Sequence, residues 1–239
     1  RLKDWRPELR ALKAEDVSLP MEMELTNISV CLDDDFFAAY ASPTHPRHAR
    51  AHEVYWAALR RMAKTGEPGF SVDVGANAHE TARNPCCEIT SADDSDVCNL
   101  GSLHLGRLDS RNELKHALEL ATLFLLAGTV YSDVPYPRVA EVRELNRRLG
   151  LGLMGIHEWL LVRGHRYAPN LDLGHWLDEY ARSTEVAARW ADQHSLSRPV
   201  KTRAIAPNGT IGILGETTSG IEPIFCSAYK RTYLNGGTD

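Results

Sequence analysis

The run LATLFLLAGTVY, Leu120–Tyr131, constrains the fold more than any other stretch of this chain. It is the longest mainly apolar run, yet it falls well short of the roughly 20 apolar residues that a membrane-spanning helix needs. It therefore reads as a buried helix. The residues before it agree: in DSRNELKHALELATLFLLAG, Leu114, Ala117, Leu118, Ala121 and Leu125 fall on one helical face, with Asp109 or Ser110 as the cap.

Other segments supply the partners such a face needs. TNISVCL (Thr26–Leu32) is β-branched and reads as a strand, followed by a helix near Asp34–Tyr40. RHARAHEVYWAALRRMAKTG (Arg47–Gly66) has helical spacing and a glycine stop. PRVAEVRELNRRLG and IHEWLLVRG read as helices flanking the small-residue segment LGLGLMG. Leu171–Ser195 reads as one helix, with a stripe of Leu173, Trp176, Leu177, Tyr180, Ala181, Thr184, Ala187, Ala188 and Ala191. TRAIAP reads as a strand that enters a Gly- and Thr-rich loop region. Strands alternating with helices predict an α/β architecture with partly parallel strands.

Composition narrows the function. The 239 residues are 43% hydrophobic and 25% charged, an ordinary globular balance. Net charge is −5 and no long basic run occurs, which excludes a nucleic-acid groove but not a mononucleotide pocket. No segment resembles a signal peptide. Five unevenly spaced cysteines predict a reducing, cytoplasmic setting. No repeat or linker marks a boundary, so residues 1–239 read as one domain. The opening RLKDWRPELR reads as mid-protein sequence, which predicts a piece of a longer chain.

Three of the five cysteines lie within thirteen residues, in NPCCEIT and DVCNLGS. Paired C-x-x-C spacing is missing, and His79 and His104 complete no zinc pattern, so no metal site is expected. His48 and His52 stand four apart, but Ala49 follows His48 and the base of an H-E-x-x-H motif is lacking. Histidines on the surface or satisfied in the core are the expectation. Cys31 and Cys226 read as small buried hydrophobes. A redox pair needs a bridging distance that sequence does not give. If Asn84–Glu88 is extended, Asn84, Cys86 and Glu88 share one face and Cys87 turns away toward packing. An amide, a thiol and a carboxylate then stand side by side, able to orient a hydroxyl, react at carbon and take a proton. The competing reading is a plain buried strand. IAPNGTIG (Ile205–Gly212) offers backbone N–H groups to an anion, helped if a helix begins there, although it lacks the P-loop lysine. An ordinary turn is the competing reading.

Together NPCCEI, CNLGSLHL, NRRLGLGLMG, IAPNGTIG and SGIEPIFCSAYKR, with the weaker TNISVCLDDDFF and GEPGF upstream, resemble the catalytic subunit of ribonucleotide reductases. The resemblance runs from about Thr26 to Arg231, and the NPC form and the SGIEPIF ending resemble the adenosylcobalamin-dependent class most. It implies part of a ten-stranded α/β barrel with the catalytic cysteine on an inner finger loop. It implies Cys86 as the thiyl-radical cysteine, Glu88 as base at the 3′ hydroxyl, Asn84 as a substrate hydrogen-bonder and Cys98 as one of two reducing thiols. Pro207, Asn208, Gly209, Thr210 and Ile211 would hold the substrate phosphates. The implied partners are a ribonucleoside di- or triphosphate and a thioredoxin- or glutaredoxin-type reductant. If the chain belongs to the iron-dependent class instead, a di-iron radical subunit replaces cobalamin.

The chain departs from that pattern in places. Cys87 stands where the family usually has a small residue such as Gly, and Asn208 where Thr is more usual. The second reducing thiol, the effector-reading loops and the C-terminal tail thiols have no match, so a complementary subunit or the remainder of a longer chain is expected to supply them. Competing expectations are a non-catalytic nucleotide- or partner-binding remnant, a glycyl-radical relative, and a structural domain whose cysteines are core.

Overall fold

In the computed structural model, which describes residues 28–230, the chain divides into two units between Asp94 and Ser95. Thr26 and Asn27, with which the first expected strand opens, lie outside the described residues.

The first unit is built on a parallel pair, β1 (Ser29–Asp33) and β2 (Gly69–Asp73), joined through α1 (Asp34–Ala41) and α2 (His48–Thr65). Asp33 ends β1 and starts α1: its Oδ1 accepts the Phe36 N–H at 2.9 Å, satisfying one orphan donor of the first turn. α2 stops where the sequence predicts, because Gly66 takes the left-handed conformation at φ 78°. Leu32, Phe36, Ala39 and Ala51 form its core. The His48 and His52 rings hydrogen-bond the Ala39 and Tyr40 carbonyls, at 3.0 and 3.1 Å, satisfying the end of α1. Two short antiparallel strands follow, β3 (Ala82–Arg83) and β4 (Thr90–Ser91).

The second unit centres on β5 (Asn99–His104), parallel to β6 (Leu149–Met154), with Asn99 opposite Leu149 and His104 opposite Met154. Between them run α3 (Arg111–Tyr131) and α4 (Pro137–Asn146). Ser110, one of the two expected caps, accepts the Glu113 N–H at 3.2 Å, and Glu113 reaches back to the Asp109 N–H at 2.8 Å, close to a capping box. Leu114, Leu118 and Leu125 of α3 are buried in one core with Leu149, Leu151 and Leu153.

The first six residues of the small-residue segment LGLGLMG form β6, a strand buried along its whole length, and the segment's last residue, Gly155, caps α5. Its glycines are there for space. A Cβ at Gly150 would lie 2.4 Å from Leu100 Cδ2, and one at Gly152 would lie 2.6 Å from the Ala204 carbonyl oxygen. After β6 come α5 (Ile156–Val162), α6 (Leu171–Ala181), α7 (Ser183–Gln193) and α8 (Gly209–Leu214).

Two sequence expectations need correction. The single helix over Leu171–Ser195 is broken at Arg182 into α6 and α7. Leu177, Ala181 and Thr184 of the expected stripe are exposed, whereas Ser183 and Val186 are buried. Arg203 holds the break, with Nη1 2.5 Å from the Ala181 carbonyl, 3.1 Å from Ser183 Oγ and 2.9 Å from Thr184 Oγ1. TRAIAP is extended, with alternating exposure, but forms only an isolated bridge between Arg203 and Leu151. Among the described residues, no helix is long and apolar enough to cross a membrane.

Candidate functional site

Asn84–Glu88 is not an extended strand. It is the turn that joins β3 to β4. The Cys87 N–H donates to the Asn84 carbonyl at 3.0 Å, with Pro85 at the position where its fixed φ favours a turn. Simple alternation therefore does not put Asn84, Cys86 and Glu88 on one face. Cys86 is exposed at its tip. Asn84 Oδ1 accepts the Ile89 N–H at 3.0 Å, which leaves its Nδ2 as the group able to donate outward. Glu88 Oε2 is buried and has no hydrogen-bond partner. Cys87 has a φ of 64°, in the left-handed region that glycine favours, and its Sγ lies 3.6 Å from Ser29 Oγ.

Cys31 is not a plain apolar filler. Its thiol donates to Asp73 Oδ2 at 2.6 Å. Burial, helped by that hydrogen bond and the carboxylate charge, pushes the thiol up to about 11. Asp73 is itself buried and also accepts from Ser71 Oγ at 2.8 Å and Arg83 Nη2 at 2.5 Å. Cys31 is thus a protonated donor to a satisfied carboxylate.

In the second unit Cys98 is half-buried just before β5, and a Cβ on Gly150 would stand 3.0 Å from its sulfur. The opposite, carboxyl ends of β5 and β6 are where parallel sheets usually present ligand sites. A cavity of about 450 Å³ is lined there by residues that include Glu158, Asn208, Gly209, Thr217 and Cys226. Of the five expected phosphate-loop residues, Asn208 and Gly209 line it; Pro207, Thr210 and Ile211 are exposed and do not. α8 begins at Gly209, with the Gly212 N–H donating to the Asn208 carbonyl at 2.7 Å. Cys226, expected to be buried, is exposed and donates to the Ala228 carbonyl at 2.8 Å.

The sequence reading left Ser102, His104, Glu158 and Thr217 without roles. Ser102 Oγ donates to Asn208 Oδ1 at 3.1 Å. The Thr217 hydroxyl donates to Glu158 Oε2. His104 is not a satisfied core histidine: both ring nitrogens are buried without a hydrogen-bond partner, and Nε2 stands 3.9 Å from Glu158 Oε2. The only available signal was the i, i+2 spacing of Ser102 and His104 on a strand that ends beside a loop.

Among the described residues no group of three or more His, Cys, Asp or Glu is placed to hold a metal ion. A cavity of about 450 Å³ suits a small ligand. It is not a cradle for a corrin, and no described residue is assigned to one.

Comparison with known proteins agrees with this architecture. The family described as ribonucleotide reductase, barrel domain, matches residues 10–171. A Mycobacterium phage D29 protein assigned by name as an adenosylcobalamin-dependent ribonucleoside-triphosphate reductase is 35% identical over 86% of this chain and 32% of its own length. A vitamin B12-dependent ribonucleoside-diphosphate reductase of Thermoplasma acidophilum is 28% identical over 88% of this chain and 33% of its own. The chain thus spans about a third of the length of these curated relatives. The solved Actinobacillus ureae class Id ribonucleotide reductase alpha subunit shares the fold, with a TM-score of 0.68 at 20% identity over 83% of this chain and 44% of that one.

Proposed function

The chain belongs to the ribonucleotide reductase family, and we propose that it forms the part of the catalytic barrel in which a ribonucleotide becomes a 2′-deoxyribonucleotide. One observation carries the assignment to this chain's own residues. A carboxylate oxygen, Glu88 Oε2, is buried with no partner, two residues from an exposed thiol, Cys86. A buried acceptor without a donor is costly unless a ligand supplies one.

In this reading Cys86, as a thiyl radical, takes the hydrogen from the ribose 3′ carbon. Glu88 accepts the proton of the 3′ hydroxyl, and Asn84 Nδ2 donates to the reacting sugar. The 2′ hydroxyl leaves as water. Two thiols lose two electrons and two protons and become a disulfide. Cys98 is one of them, and the other comes from the remainder of a longer protein or from a complementary subunit. Cys86 finally returns the hydrogen to the 3′ carbon, and Glu88 returns the proton to the 3′ oxygen. A thioredoxin- or glutaredoxin-type dithiol then restores the pair. Pro207–Ile211 holds the substrate phosphates, with Asn208 and Gly209 closest to the cavity.

The cofactor proposed for the intact protein is adenosylcobalamin, which the name of the phage D29 relative carries, the Thermoplasma relative being named for vitamin B12; when bound it supplies the radical. The proposed location is cytoplasmic. The test supplies the intact protein with adenosylcobalamin, a dithiol and labelled ribonucleotide. Cys86→Ala is expected to abolish deoxyribonucleotide formation while nucleotide binding stays. Product formation by Cys86→Ala would overturn the assignment.

A further inference from the structure

Ser102 and His104 lie two apart on β5 and so project from the same face. Both reach toward the cavity at the carboxyl ends of the strands, by different routes. Ser102 holds the side-chain oxygen of Asn208 at 3.1 Å. His104 stands against Glu158, whose Oε2 accepts the Thr217 hydroxyl. The segment from Thr217 to Ser219 closes the circuit. The Thr218 carbonyl accepts the Gly155 N–H at 3.3 Å, and Ser219 Oγ accepts the Asn208 N–H at 3.0 Å.

Asn208 is therefore held from two sides, its side-chain oxygen by β5 and its backbone by residue 219. One group of the residue stays open. Asn208 Nδ2 is buried without a partner, in a residue 6% exposed that lines the cavity. An amide nitrogen is only a donor, so what it lacks is an acceptor. With Oδ1 accepting from Ser102, Nδ2 is the group of the side chain left without a partner. Glu158 accepts from Thr217 and stands beside His104. A Cβ on Gly155 would lie 2.8 Å from the His104 ring and 2.7 Å from Thr217 Oγ1, so Gly155 packs directly against both.

We propose that Glu158 and Thr217 are positioning residues that lock the Thr217–Ser219 segment so that Asn208 Nδ2 donates to a phosphoryl oxygen of the ligand. This rests on the reading that the Asn208 loop takes the substrate phosphates. The hydrogen bond between Thr217 and Glu158 sets the geometry, and the amide of Asn208 makes the contact. The carboxylate does not touch the phosphate; its role is to accept from Thr217.

The test titrates CDP and inorganic pyrophosphate into the intact protein by calorimetry. Thr217→Val, which removes the donor, and Asn208→Asp, which replaces the amide donor by a second acceptor, are each expected to weaken both probes about tenfold, the size of one lost hydrogen bond to a charged group. Thr217→Ser and Glu158→Gln keep the bond and are expected to stay within about twofold of the parent protein, well below that loss. A merely structural role would not produce that rescue. If Thr217→Val unfolds, Glu158→Ala removes the same bond from its other end and must weaken both probes. Parent-like pyrophosphate affinity in Asn208→Asp, or in a folded Thr217→Val, overturns the proposal. If the parent protein binds neither probe, the phosphate-loop reading itself fails, a different outcome from parent binding that no variant alters.

Discussion

Ser102 Oγ donates a 3.1 Å hydrogen bond to Asn208 Oδ1, joining two residues 106 positions apart in the chain. The bond ties the centre of β5 to Asn208, the residue that precedes α8, and occupies the side-chain oxygen of Asn208. Ser102→Ala is expected to cost about 1 kcal/mol of stability, the net value of a typical buried hydrogen bond. Urea unfolding of the two proteins measures it; an unchanged midpoint would show that the bond does not form in solution.

Cys87 has φ 64° and Gly66 φ 78°, but only the second is a glycine. A non-glycine residue in this region costs on the order of 1 kcal/mol or more. Cys87→Gly is therefore expected to raise the thermal midpoint, with a gain of about 0.5–1 kcal/mol, because the loss of the contact with Ser29 is small. Cys87→Val is expected to lower it, since β-branched residues tolerate this conformation worst.

The Cys31 thiol, pushed up by burial and by its hydrogen bond to Asp73, titrates at about 11 instead of 9.0. Tyr180, pushed up by burial, titrates at about 12 instead of 10.0. Both folded values lie above the unfolded ones. The stability they contribute is therefore complete below about pH 9 and is lost as pH rises through 11 and 12. Unfolding midpoints are expected to fall across that alkaline window. Iodoacetamide at pH 8, read by mass spectrometry, is expected to label the exposed Cys86 and Cys226 well before Cys31, because the thiolate is the nucleophile. Equal labelling rates would contradict the Cys31–Asp73 contact.

Asp96 and Arg148 form a 2.7 Å ion pair in which both side chains are 5% exposed. Removing one member of a buried pair costs about 3–5 kcal/mol. Asp96→Ala is expected to lose that much in chemical denaturation, far more than any exposed pair such as Arg138–Glu141, for which about 0.5 kcal/mol is the upper expectation.

The helices were legible where a local signal ends them. Ser110 caps α3 and Gly66 stops α2, each through a residue type that satisfies backbone groups within its own turn. The break at Arg182 was not legible, because the residue that holds it, Arg203, lies about twenty positions downstream and acts through space. LGLGLMG gave no strand pattern, since a strand buried on both faces has no alternation to read. Cys86 in the first unit and Asn208 in the second stood out by motif; Asn208 precedes α8 as a helix start would need, but the turn at Cys86 replaced the expected strand. Pro85 and the Cys87–Asn84 hydrogen bond were the missed cues. His104, Glu158 and Thr217 were invisible because each is ordinary in its own segment and gains a role only where three segments meet.

Gly152 leaves β6 no room for a side chain, because a Cβ there would lie 2.6 Å from the Ala204 carbonyl oxygen. A library of variants across 149–155 would be as empty at 152 as at a catalytic position, for reasons of volume alone. Evolution faces the same restriction. Invariance at Gly152 would record how closely the Ala204 backbone presses on it, whereas invariance at Cys86, an exposed thiol that no packing requires, would record chemistry. Two equally unchanging stretches of one chain would then answer to unrelated selective pressures.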